Sequence, residues 1–244
     1  MALELNDLET KRFGVTCAKL TGTENGLPDL DMINKQAADL NVEMLTTRLD
    51  VSQLAQAHEL ESDGYRLMDT LVYYRRPHDP LPERKPLPNG LTLRDAVPAD
   101  SKAVAKVSLA AFEGYFGHYH ADPRLSNDDA DEAYLEWAEK TIERIGEETH
   151  ALVVENGSDV VGFCSLIQRP TGAADIELNG ILPSSQGRGL YARMIEALVH
   201  KSKNIGADHI TVSTQINNYA VQRVWTRLGF YHERSAYTFH KWFT

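Results

Sequence analysis

A chain of 244 residues has room for one large domain or two modest ones, and for a sizeable buried core. Its 42% hydrophobic and 25% charged content is that of an ordinary soluble protein and excludes disorder and fibrous repeats. Thirty-five acids against 25 Lys and Arg give a net charge of −10, which argues against nucleic-acid polymers and anionic membranes as partners.

In chain order, Met1 to Glu9 carry three acids and no basic, apolar export signal, so a cytoplasmic protein with reduced thiols is expected. Cys17 and Cys164 alone cannot make a disulfide framework or a zinc site. Met44 to Arg48 read as a strand, Val51 to Leu60 as a helix, and Thr70 to Arg75 as a second strand after Gly64-Tyr65. Pro77, Pro80, Pro82, Pro86 and Pro88 then crowd one stretch that ends in Asn89-Gly90. Proline removes backbone donors and restricts the residue before it, so this stretch is a poor helix or central strand. The expected organisation is therefore a small α/β N-terminal domain over 1–76, a proline-rich linker over 77–90, and a larger domain over 91–244.

Beyond the linker, Leu91 to Arg94 form a short strand, followed by a helix through Val104, Val107, Leu109 and Phe112. A second helix runs from Asn127 to Ile145, with Asp128, Asp129, Asp131 and Glu132 matched to its dipole. Strands are expected over Ala151 to Glu155, Val160 to Gln168 and Ala174 to Leu182. No apolar stretch here, Val160 to Ile167 included, is long enough to cross a bilayer. A helix from Gly189 to Lys203, a strand from His209 to Thr214 and a helix from Asn217 to Leu228 follow. That last helix carries Ala220, Val221, Val224, Trp225 and Leu228 on one face, and two closing strands complete a mixed α/β domain. The order strand, helix, Gly-aromatic, strand in 44–75 returns in 211–241 at nearly matching spacing, either by chance or by duplication.

The chemistry lies in Ile181-Leu182-Pro183-Ser184-Ser185-Gln186-Gly187-Arg188-Gly189-Leu190-Tyr191. An apolar strand ends at proline, two glycines follow, and an amphipathic helix begins. Glycines allow positive φ and close backbone approach, and the free N–H groups of a helix start suit a pyrophosphate. The same glycines also serve a plain strand-to-helix turn.

This loop resembles the acetyl-CoA pyrophosphate loop of the GNAT acetyltransferase superfamily, with Gln186, Gly189 and Tyr191 in the family places. A second signature matches at Asn218, Trp225, Gly229 and Phe230, and element order agrees from about Leu91 onward. The implied fold is GNAT: a mixed, mostly antiparallel sheet flanked by helices, preceded here by a small α/β domain resembling a partial GNAT half. The implied cosubstrate is acetyl-CoA, bound by Ile181, Gln186, Gly187, Arg188, Gly189, Leu190, Tyr191, Ala192, Asn218 and Trp225. Arg188 is either a solvated charge or a phosphate contact, with its backbone N–H the safer assignment. Phe13-Gly14-Val15, Tyr134 with Trp137, Thr214-Gln215 and Ser235-Ala236-Tyr237 are similar to the TDP-fucosamine acetyltransferase branch. That branch implies a nucleotide-linked amino sugar as acceptor, and the family resemblance implies a homodimer.

Two positions depart from the family. Tyr191 replaces a small residue, so its side chain must turn away from the cosubstrate or pack on it. Trp225 stands where the family has a proton-donating tyrosine, and an indole N–H is no acid near neutral pH. The resemblance also implies the Ile181 backbone N–H as oxyanion donor. Asp175, Glu177 and Asn179 are expected to alternate on one strand face, with Glu177 either a base or a half-exposed strand carboxylate. The loop from Phe112 to His120 is dense in aromatics, and Tyr115, His118, Tyr119 and His120 are expected to bind the acceptor with Gln215. An aromatic packing loop is the plainer reading. His118 and His120 lack a third ligand motif, so no metal is expected. Lys11, Arg12 or Arg124 are candidates to offset the acidic net charge near an anionic acceptor. A small cationic amine as acceptor, or a silent acetyl-CoA-binding module, are the alternatives.

Overall fold

The computed structural model describes residues 3–23, 26–88 and 90–243. Met1 and the expected turn residue Asn89 lie outside the described residues. The elements are β1 (Leu3–Leu5), α1 (Asp7–Phe13), β2 (Cys17–Leu20), α2 (Leu30–Asp39), β3 (Met44–Asp50), α3 (Leu54–Ser62) and β4 (Arg66–Pro77). They continue with β5 (Leu91–Asp95), α4 (Ser101–Phe112), α5 (Asn127–Glu143), β6 (Thr149–Asn156), β7 (Asp159–Gln168) and β8 (Ala173–Ile181). The last are α6 (Leu190–Asn204), β9 (His209–Gln215), α7 (Tyr219–Arg227) and β10 (Tyr231–Trp242). The two closing strands expected from the sequence are one continuous strand, β10. Ala220, expected on the buried face of α7, is exposed. No helix among the described residues is long and apolar enough to cross a membrane.

Two compact units divide the chain without following its order. The first comprises Met1–Val72, Phe116–Ala130 and Arg234–Thr244, and the second Tyr73–Tyr115 and Asp131–Glu233. In the first, β1 pairs antiparallel with β2, β2 parallel with β3, and β10 antiparallel with β3 from Ala236↔Asp50 to Trp242↔Met44. One face of that sheet buries Leu20, Leu45, Leu49 and Phe239 against Ile33 and Leu60. In the second, β5 to β8 form an antiparallel series and β8 turns parallel to β9. Its core packs Leu166, Ile176 and Ile210 against Met194 and Leu198 of α6 and Trp225 of α7. The proline-rich segment lies along α6: His78 Nε2 meets Ser202 Oγ at 2.9 Å, and His200 Nε2 meets the Pro82 carbonyl at 2.9 Å.

The repeat suspected from the sequence has a gap-free frame. β3, α3 and β4 match β9, α7 and β10 in length, so residues 44, 54, 66 and 77 correspond to 209, 219, 231 and 242. Both helices end alike, at Gly64 (φ 85°) and Gly229 (φ 84°). Tyr65 N–H donates to Leu60 O and Phe230 N–H to Trp225 O, both at 3.0 Å. A side chain at these φ values is strained, which is why glycine recurs in this helix-ending turn. The last strand of each copy passes into the other unit: Tyr73–Pro77 of β4 joins the second, and Arg234–Trp242 of β10 the first.

Candidate functional site

The turn after β8 is built for an open helix start. Pro183–Ser185 make one 3-10 turn, then Gly187 (φ 78°) and Gly189 (φ 74°) take left-handed conformations. No atom lies within 4 Å of a Cβ added at either glycine, so backbone conformation and not space demands glycine there. Gly189 is the N-cap of α6, no side chain caps the helix, and no acid lies in its first turn. The amides of Leu190, Tyr191 and Ala192 therefore keep their donors, and the helix dipole adds partial positive charge. Helix α2, which precedes β3 as α6 precedes β9, is the opposite case. Asp29 caps α2 by accepting from Met32 N–H at 3.2 Å, and Asp31 adds a second carboxylate to the first turn. An anion is favoured at α6 and repelled at α2.

Beside this turn the sheet opens. β8 and β9 are in register only over Ala173–Ile176 against His209–Val212, while β8 runs on to Ile181 and β9 to Gln215. A bulge contributes: β8 carries an extra residue near Glu177 and Leu178 opposite Ser165, whose hydroxyl is bonded to both the N–H and C=O of Leu178. Leu182 N–H donates to Val161 O at 2.9 Å, and Gly162 lies opposite Ile181. Alternation along an antiparallel ladder then turns the Ile181 N–H away from β7, towards the open side. Its carbonyl accepts from Gln186 Nε2 at 3.3 Å, which ties the turn to the strand end. Arg188 is exposed and has no side-chain partner among the described residues.

Trp225 is 1% exposed, and its Nε1–H donates to the Tyr191 hydroxyl at 3.0 Å. Tyr191 thus turns its ring towards α7, and burial pushes its hydroxyl pKa well up despite that hydrogen bond. Tyr74 packs edge-on against Trp225 with ring centres 5.5 Å apart. Asn218 precedes α7 and donates through Nδ2 to Thr214 Oγ1 at 3.1 Å.

The bulge corrects the reading of Asp175, Glu177 and Asn179 as one face. Asp175 and Glu177 share Arg169, at 2.7 and 3.8 Å, and Glu177 also faces Arg144 at 3.8 Å. Asn179, beyond the extra residue, moves to the face of Ile181. Burial raises the Glu177 pKa, and the two arginines oppose the rise. Cys164 is buried, and desolvation raises its pKa above the ordinary thiol range, which disfavours the thiolate a nucleophile would need.

The aromatic loop divides after Tyr115. The Tyr115 hydroxyl donates to Gln215 Oε1, and its ring packs edge-on against the stacked pair Phe112 and Tyr134. His118, Tyr119 and His120 belong to the first unit. There the Tyr119 hydroxyl donates to Glu9 Oε1 at 2.6 Å, with its ring centre 5.0 Å from that of Phe13. His118 Nδ1 meets His240 Nε2 at 2.9 Å, and His240 Nδ1 meets Asp122 Oδ2 at 2.8 Å. Gly117 N–H donates to His120 Nδ1 at 3.3 Å. Arg124 stacks on Trp242 at 4.1 Å. No three His, Cys, Asp or Glu side chains are grouped to hold a metal among the described residues.

The profile of the acetyltransferase (GNAT) family matches residues 109–230, half of the chain. The chain belongs to this family. Among curated relatives, a spore coat polysaccharide biosynthesis protein, SpsD, of Bacillus subtilis is 25% identical over 145 residues, covering 59% of this chain and 48% of the relative. A mycothiol acetyltransferase of Actinosynnema mirum is 31% identical over 169 residues, covering 68% of this chain and 53% of the relative. The chain thus spans about half the length of the curated relatives it matches. A GCN5-related N-acetyltransferase from Sphaerobacter thermophilus shares the fold at TM-score 0.69 and 16% identity, over 98% of this chain and 76% of that one. A tandem GNAT protein from the clavulanic acid biosynthesis pathway does so at TM-score 0.65 and 12% identity, over 94% and 76%.

Within this GNAT chain, the Trp225–Tyr191 hydrogen bond joins the two positions that depart from the family pattern. Sequence reading flagged both residues singly and missed their partnership, because nothing local links a helix start to a residue on the next helix. The Asp122–His240–His118 chain was missed for the same reason. The only signal was the density of histidines.

Proposed function

We propose that the chain transfers the acetyl group of acetyl-CoA to the amine of a nucleotide-linked 3- or 4-amino-dideoxyhexose, with dTDP as the carrier. The observation that carries this reading is the acid-free, uncapped start of α6 beside the parted ends of β8 and β9. Acetyl-CoA would supply an activated acyl group, and the amides from Gln186 to Ala192 would hold its pyrophosphate. Tyr191 leaves those amides open by turning to Trp225. The Ile181 N–H faces the parting and would stabilise negative charge on the carbonyl oxygen as the amine attacks. The new C–N bond forms and the C–S bond breaks in a ternary complex, with no acyl-enzyme. Glu177 is the candidate acceptor for the amine proton, directly or through water. Tyr115 and Gln215, bonded to each other, are the proposed acceptor contacts on the second unit.

The sugar acceptor draws support from the name of the Bacillus subtilis relative, and acetyl transfer from that of the Actinosynnema mirum relative. The resemblance of the sequence to the TDP-fucosamine branch narrows it, and we extend it to a cytoplasmic homodimer. The charge of −10 favours a second reading, a small cationic amine as acceptor.

Calorimetry with acetyl-CoA tests the loop. Gly189→Ala adds only backbone strain, about 1–2 kcal/mol. Gly189→Asp adds a carboxylate at the helix start, as Asp29 does at α2. Binding should weaken much more in the aspartate variant than in the alanine variant. Equal affinity in wild type and Gly189→Asp would remove the site.

A further inference from the structure

We infer that the cavity between the proline-rich segment and one side of α6 is a binding site for a small phosphate monoester, with Arg84 and Lys85 as its anion contacts. The cavity lies wholly within the second unit, apart from the α6 turn, and does not depend on the acceptor proposed above.

The cavity is a product of the segment that proline keeps out of helix and sheet. The Arg76 guanidinium donates to the carbonyls of Pro77 and Pro80, His200 Nε2 donates to the Pro82 carbonyl at 2.9 Å, and Leu91 N–H donates to the Pro88 carbonyl at 3.1 Å. Leu81 and Leu87 pack on the core of the unit. So pinned, the segment encloses a cavity of about 340 Å³ with α6, β5 and β6, within the size range of small-ligand sites. Leu93 pairs opposite Val154, and Asp95 opposite Leu152, so these residues share the sheet face turned to α6. Leu87, Leu93, Leu152 and Ala197 make its apolar wall. Along α6 the cavity runs from Arg193 to Asn204, about 6 to 22 Å beyond Gly189 at 1.5 Å per residue, and touches no residue from Gln186 to Ala192.

The charges on the lining balance one another except on the segment. Lys201 Nζ meets Asp95 Oδ1 at 2.6 Å, and Arg193 meets Glu196 Oε2 at 2.7 Å. Arg94 is held by Asp100 and Glu155, which stand outside the lining, as does Glu83. Arg84 and Lys85 are exposed and have no hydrogen-bond or ion-pair partner among the described residues. Two positive charges are therefore in surplus at the rim, on a chain whose net charge is −10.

Phosphate is the anion this surplus fits. A guanidinium fork and an adjacent ammonium offer charge-assisted donors to several oxygens at once, and a phosphate dianion matches two positive charges. A carboxylate carries half that charge on fewer oxygens. The apolar wall would take the carbon side of a monoester, which inorganic phosphate lacks.

The test is a titration of phenyl phosphate, inorganic phosphate and benzoate against the full chain, followed by ligand-detected NMR. Dephospho-CoA is present at saturation, so that the α6 turn is filled by a molecule with a pyrophosphate and no monoester. Phenyl phosphate should bind wild type more tightly than either other probe. Arg84→Ala and Lys85→Ala should each raise its Kd about tenfold, the loss of one charge-assisted hydrogen bond. Ala197→Glu should abolish binding by placing a carboxylate in the apolar wall. Dephospho-CoA affinity should not move in any of the three variants, which also reports that they fold. Phenyl phosphate binding unchanged in Arg84→Ala and Lys85→Ala, either other probe binding as tightly, or no binding at millimolar concentration would each overturn the inference and leave the acetyl-CoA reading standing.

Discussion

Replacing Tyr191 by phenylalanine removes one oxygen and leaves the ring in place. That oxygen accepts the only hydrogen bond that the indole N–H of Trp225, itself 1% exposed, makes among the described residues. A buried donor stripped of its acceptor costs about 1–3 kcal/mol. For a chain of this size each kcal/mol lowers Tm by about 2–4 °C, so a fall of roughly 2–12 °C is expected. Trp225→Phe removes the donor as well, and in the double variant the oxygen deletion should cost less, with a coupling energy of about 0.5–3 kcal/mol. Turnover should behave differently from stability. A CoA thiol resembles a cysteine thiol, pKa about 8.5, so its thiolate leaves readily and solvent protonates it afterwards. Tyr191→Phe should therefore slow kcat less than tenfold in a thiol-release assay. General acid catalysis is worth about 10²–10⁴-fold. A loss of that size with acetyl-CoA affinity intact would refute the reasoning and make Tyr191 the proton donor that Trp225 is not.

Glu177→Gln keeps a hydrogen-bonding side chain beside Arg144 and Arg169, and should also slow turnover less than tenfold; a loss of about 10²–10⁴-fold with binding intact would establish Glu177 as an essential base. A fragment of residues 91–244 should fail to fold, because it leaves Arg234–Trp242 of β10 without β3; a cooperative unfolding transition from that fragment would contradict the division of the chain. His78, His118 and His150 are all held below the ordinary imidazole pKa, chiefly by burial. Their neutral forms are favoured in the fold, so the stability they contribute is present above about pH 6.5 and is lost as pH falls below it. Urea midpoints should drop between pH 7.5 and 5.5, and less steeply in His118→Gln; an identical slope in that variant would exclude His118.

The elements around the site were legible because their signals are local. The glycine spacing before α6, the apolar periodicity of α6 and α7, and the Asn218, Trp225, Gly229, Phe230 signature all act within a few residues. The repeat was visible as an order of elements, and only the backbone shows that its frame has no gap. By contrast, β1 and β2 are short and α1 is strongly charged, so their order comes from pairing with β3 and from the Asn6 and Gly14 caps. Tyr231 to Trp242 looked like two strands because His232, Glu233 and Arg234 interrupt the apolar pattern; pairing with β3 sustains one strand beyond them. The bulge at Glu177 shifts side-chain parity without any glycine or proline to announce it. The pairs Trp225–Tyr191 and His240–His118 join residues far apart in the chain, where periodicity carries no information.

Acetyl transfer to a nucleotide-linked amino sugar is the reaction proposed for this chain. Its most direct test is to incubate the full chain with acetyl-CoA and a mixture of dTDP-linked amino-dideoxyhexoses, a polyamine and an aminoglycoside, and to read the products by mass spectrometry. A nucleotide sugar should gain one acetyl group in step with CoA release, and Gly189→Asp should abolish the gain. Acetylation of the cationic amines alone, or CoA binding without any acetylated product, would contradict it.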